Sequence, residues 1–144
     1  SAIAELEASL KQFNQEKNTP FDRMLRIQAQ RLLEISTIFY SKDQYATAMN
    51  YVGQANNFVK SIQSDLTQKK AVNVGYPQLD FHIPVKLRTN KISKLYKTPD
   101  AQSQVLLSLK KDTVLKATAS QGTWLKVLTD KNQGWIQNTG FELE

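Results

Sequence analysis

The residues that could carry chemistry are few and poorly grouped. His82 is the one histidine, set between Asp80 and Pro84, so no two-histidine metal site can form and any histidine-based triad would rest on this side chain alone. Cysteine is absent, which removes disulfides, thiolate metal sites and cysteine nucleophiles together. Glu5, Glu7, Glu16, Asp22, Glu34, Asp43 and Asp65 read as solvated carboxylates on polar helix faces, and the remaining acids fall mostly in turns. No pair of them has a spacing that supports glycoside hydrolysis. The five glycines, at 53, 75, 122, 134 and 140, are scattered and build no phosphate-cradling loop. No nucleophile motif is recognisable either, so the chain reads as a non-enzyme with no cofactor and no metal.

Charge is the more informative signal. The net charge is +6, and five units of the excess lie from Val85 onward against one over residues 1 to 84. A basic C-terminal half attracts anionic polymers or an acidic protein face, although scattered lysines also serve simply to keep a chain in solution. The lysines from Lys91 to Lys131 lie in turns and alternate strands with no interleaved aromatic series, which disfavours nucleic acid. No apolar run approaches the roughly 18 residues that a bilayer span requires.

These basic residues sit on a series of short strands. Val105–Leu109, Thr113–Ala117, Thr123–Val127 and Gly134–Ile136 are apolar, β-branched or aromatic, and Asp, Asn, Gly and Ser break them at intervals near the roughly 8–12 residues of a small sandwich or barrel. Two tryptophans, Trp124 and Trp135, each follow a turn signal. At least one of them is expected in the core, and Trp124 is the one expected to be exposed.

The order Leu95-Tyr96, Thr98-Pro99, Val105-Leu106, Leu109-Lys110-Lys111-Asp112, Gly122-Thr123-Trp124-Leu125-Lys126-Val127 and Gly134-Trp135-Ile136 resembles a bacterial SH3 (SH3b) domain over roughly residues 87 to 143. Asp112 stands where that pattern usually has a turn glycine, and Lys94-Leu95-Tyr96-Lys97-Thr98-Pro99 departs from the usual first strand. The resemblance implies an SH3-like β-barrel with a ligand groove near Tyr96, Lys97, Thr98, Pro99, Gln121, Thr123, Trp124, Trp135 and Asn138. Rigid aromatic faces there would supply contact area and the lysines attraction for acidic or glycan ligands. Gln137 stands where eukaryotic SH3 domains carry the proline of their polyproline groove, so a Pro-rich ligand is disfavoured. SH3b domains often accompany cell-wall hydrolases, but a papain-like catalytic domain would need a cysteine.

The first half reads as helices. Ile3, Leu6, Leu10 and Phe13 recur at helical spacing, and Thr19-Pro20 then suits an N-cap followed by the first helical residue. A second helix is expected over about 20–40, burying Phe21, Met24 or Leu25, Leu32, Ile35, Ile38 and Phe39. A third is expected over about 44–68, burying Tyr45, Ala48, Val52, Ala55, Phe58 or Val59, and Ile62. Gly53, inside it, reads as a close-packing position. Leu32, Ile35, Phe39, Tyr45, Ala48, Tyr51 and Ala55 resemble one tetratricopeptide unit. Ser36 and Lys60 depart from that pattern and no second copy follows, which favours a generic hairpin or three-helix bundle.

The expected architecture is therefore α+β and segregated: a helical domain at 1–70, an extended linker at 71–86 whose alternative is a strand on the barrel edge, and the SH3b-like barrel at 87–144. The function expected is a non-catalytic binding module of the bacterial cell envelope or periplasm, holding cell-wall glycan or peptide, or an envelope protein. That placement carries the expectation of an export segment already removed. The alternative is a structural adaptor that assembles through its helices, as a homo-oligomer or in an envelope complex.

Overall fold

The computed structural model describes residues 1–16, 18–64 and 76–144, and for 14–16 the backbone alone. The chain divides into two compact units, Ser1–Ser64 and Asp65–Glu144.

The first unit holds α1 (Ala2–Glu16), α2 (Pro20–Ser41) and α3 (Tyr45–Gln63). Thr19 caps α2 by accepting a hydrogen bond from the Asp22 amide at 3.0 Å, Pro20 occupies the first turn, and Asp22 places a negative charge at the positive end of the helix. The α2–α3 turn is closed by Asp43 at φ 61 and by the Gln44 amide donating to the Phe39 carbonyl at 3.0 Å. Met24, Leu25, Ala29, Leu32 and Leu33 of α2 and Ala48, Val52, Ala55, Phe58, Val59 and Ile62 of α3 are all buried, so both members of each expected pair are in the core. Burying each large side chain stabilises by about 1.5–3 kcal/mol, and the small Ala48 and Ala55 let the helices approach. Leu6, Leu10 and Phe13 bury the matching face of α1.

Three expectations for the helices need correction. Ile38 and Tyr45 are half exposed, at 50% and 51%. Tyr45 opens α3 beside the turn, where its hydroxyl donates to Asp43 Oδ1 at 2.8 Å and its ring meets Tyr40 edge-on at 4.9 Å, which holds it at the surface. Helix α3 stops at Gln63 because Ser64 turns to extended backbone, and positions 65–68 lie outside the described residues. Gly53 is exposed, and among the described residues a Cβ there would meet nothing within 4 Å, so it does not read as a packing glycine.

The second unit is a seven-stranded antiparallel, barrel-like sheet: β1 (Gln78–Thr89), β2 (Ser93–Tyr96), β3 (Val105–Leu109), β4 (Val114–Gln121), β5 (Trp124–Leu128), β6 (Gln133–Gln137) and β7 (Phe141–Leu143), in the order β3-β2-β6-β5-β4-β1-β7. The layout is the segregated α+β one expected. Its core is formed by Leu87, Leu95, Leu109, Leu115, Ala117, Trp124, Leu125, Val127, Ile136 and Phe141. From Gln78 onward the segment expected as linker takes its alternative form, a strand, and lies between β4 and β7 rather than at the edge. Gln78–Asp80 pair with Gln121–Ala119 and Val85–Arg88 with Ala117–Val114, and the register shift between them takes up Pro84, which needs no ladder bond at a bulge. Positions 71–75 of the expected linker lie outside the described residues.

Two close approaches fix the rest of the sheet. Buried Thr89 donates its hydroxyl to the Lys110 carbonyl and accepts from the Thr113 amide, while the Asp112 amide donates to the Thr89 carbonyl. This tethers the β3–β4 turn, and Asp112 lies at φ 68, in the left-handed region where glycine is the usual residue. Gly134 in β6 passes so near β2 that a Cβ would stand 2.7 Å from Leu95 Cγ and from the Tyr96 carbonyl oxygen.

Candidate functional site

Tyr96 stands between the two tryptophans and a cleft that holds two lysines. It ends β2 directly opposite Trp135 of β6, and its ring meets the Trp124 indole edge-on, centroids 5.3 Å apart at 88°. Trp124 is fully buried and Trp135 is 7% exposed, so the expectation of an exposed Trp124 is wrong. The turn before Trp124 delivers the indole into the core, where the Tyr96 ring covers it. Its Nε1–H has no partner among the described residues. The half-buried Tyr96 ring, held by the tryptophan behind it, is what remains to be touched.

The other expected residues fall into separate places. Lys97 and Thr98 are exposed and Pro99 half-buried in the loop after β2. That loop braces itself: Lys97 N–H donates to the Gln104 carbonyl, Thr98 N–H to Ser103 Oγ and Gln102 N–H to Asp100 Oδ1. Gln121 ends β4 opposite both Gln78 and Trp124 and donates through Nε2 to the Tyr76 carbonyl at 3.2 Å. Thr123 and Asn138 are half-buried in turns. Contact or register ties Tyr96, Trp124, Trp135 and Gln121 to one another.

Beside Tyr96 lies a cleft of about 270 Å³ lined by Lys91, Ile92, Ser93, Lys94, Tyr96, Ile136, Gln137 and Thr139. Apart from Tyr96, none of these was singled out from sequence as a ligand residue. No carboxylate lines the cleft, and neither lysine takes part in an ion pair among the described residues. The stem of Lys91 lies over Gly140, whose φ of +84 is a glycine conformation and where a Cβ would stand 2.5 Å from Lys91 Cε. By contrast Arg88 is neutralised by two hydrogen bonds to Glu144, at 3.1 and 3.0 Å, which raise its pKa further. The exposed His82 lies on β1, and among the described residues no group of three or more His, Asp or Glu side chains could hold a metal ion.

The groups brought together here are a braced aromatic ring, two lysines and neutral hydrogen-bonding side chains around one cleft. Residues 90–140 match the family model described as the bacterial SH3 domain, and these bounds hold Tyr96, both tryptophans and the whole cleft. No curated protein and no solved structure gave a match. Over residues 90–140 the chain thus carries a bacterial SH3 domain, a member of a family of binding modules.

Proposed function

We propose that the chain is a non-catalytic binding module of the bacterial cell envelope, whose SH3 domain holds a cell-wall polymer or an envelope protein against the Tyr96 face. The observation that carries this reading is the Tyr96 ring, fixed edge-on by Trp124 beside a cleft that holds two lysines and no acid. A rigid ring gives contact area at low entropy cost, and lysines without counter-ions attract an anionic polymer. Retention on purified peptidoglycan tests it, comparing the wild-type chain with Tyr96→Ala and with Lys94→Glu, which lies at the surface. Loss of retention in both folded variants is expected. Equal retention of all three would remove the wall-polymer reading.

A second reading, assembly through the helices, has its own observation. Ile38, Tyr40, Tyr45 and Met49 are 50–54% exposed on α2 and α3, and the Tyr40 and Tyr45 rings touch. Light scattering at rising concentration addresses it, and a strictly monomeric chain would count against self-assembly.

A further inference from the structure

We infer that the cleft beside Tyr96 is a pocket for one anionic oxygen group, a carboxylate or a phosphate, clamped between Lys91 and Lys94. This names the chemistry of the site in the reading above and rests on it. Lys91 and Lys94 both line one small cleft with no acid among the lining residues, so an anion there would meet positive charge and no internal competitor. The stem of Lys91 lies over Gly140, where the missing side chain leaves room for it. Ser93, Gln137 and Thr139 add neutral hydrogen-bonding groups at the rim, and Ile92, 73% exposed, offers an apolar wall for the body of the ligand.

A second cleft of about 270 Å³ shows why this one is chosen. There Lys86 stands directly opposite Lys116 across the β1–β4 ladder, but Asp130 lines the same cleft and supplies a carboxylate of its own. The Tyr96 cleft has two positive charges and no such internal counter-charge.

The test is an amide NMR titration of the whole chain with sodium phosphate, sodium acetate and sodium chloride at matched ionic strength. Saturating shifts confined to Lys91–Lys94 and Gln137–Gly140 are expected with phosphate or acetate and not with chloride. The anion that saturates at the lower concentration identifies the source as phosphate or carboxylate. Lys91→Gln and Lys94→Gln should each weaken binding roughly two- to fivefold, as exposed charge pairs do, and the double variant should abolish saturation. Gly140→Ala should also weaken it with both charges intact, because Lys91 is displaced; the lysine variants carry the test if that variant does not fold. Shifts equal in chloride, no saturation with either anion, or unchanged affinity in the double lysine variant would overturn the assignment. If the wild-type chain is retained on peptidoglycan while no anion saturates, the wall reading stands and the pocket assignment falls. Saturable anion binding without retention has the opposite meaning.

Discussion

Asp112 shows how one backbone angle can be anticipated from a residue pattern. The turn after Lys110-Lys111 is one where glycine is usual, and the structure holds Asp112 at φ 68, a conformation that costs an L-residue roughly 1–2 kcal/mol, less for Asp than for most. Asp112→Gly should therefore raise stability by about 0.5–1 kcal/mol, read as a higher urea midpoint at unchanged slope. Trp124 shows the opposite case. Position after a turn suggests exposure, but whether a side chain at the head of a strand points inward depends on the register of its neighbours, which lies in partners distant along the chain. Being fully buried, Trp124→Ala should cost about 3–5 kcal/mol, so loss of binding in that variant would report unfolding rather than a lost contact. Equal melting temperatures of Trp124→Ala and wild type would contradict the core assignment.

Among the elements, α1 and α2 were legible because their apolar spacing and the Thr19-Pro20 start signal act within a few residues. Thr19→Ala should cost about 1 kcal/mol through the lost cap on the Asp22 amide. The ends of the buried stripes were not legible, since period alone does not say where a helix passes beyond its neighbours, and Ile38 and Tyr45 lie there. Gly53 departs from its expectation for a related reason: a glycine in a helix marks close packing when something is close, and among the described residues nothing is. Gly53→Ala should then stabilise α3 by about 0.5–1 kcal/mol, measured by chemical denaturation, and destabilisation would show a packed neighbour after all. Strand β1 was legible only as the alternative to a linker, because Pro84 argues against a strand by local rules but is tolerated at a bulge that only the pairing with β4 reveals. Gly134 is the converse of Gly53. An added methyl would press on Leu95 and on the backbone of Tyr96, and Gly134→Ala should cost about 1–3 kcal/mol or more.

At the scale of the whole molecule, the placement of charge was readable from sequence and its grouping was not. The excess of basic residues in the second half follows from counting, whereas Lys91 and Lys94 join Gln137 and Thr139 only because β2 lies beside β6 in the sheet. None of the helices among the described residues is long and apolar enough to cross a membrane, and the account needs none. The most direct measurement is retention on purified peptidoglycan, from low to high salt, of the wild-type chain and of the Lys91→Gln/Lys94→Gln double variant. The account predicts wild-type retention that falls as salt screens the lysines, and weak, nearly salt-independent retention of the variant. Retention of both proteins to the same extent, with a flat response to salt, would contradict it.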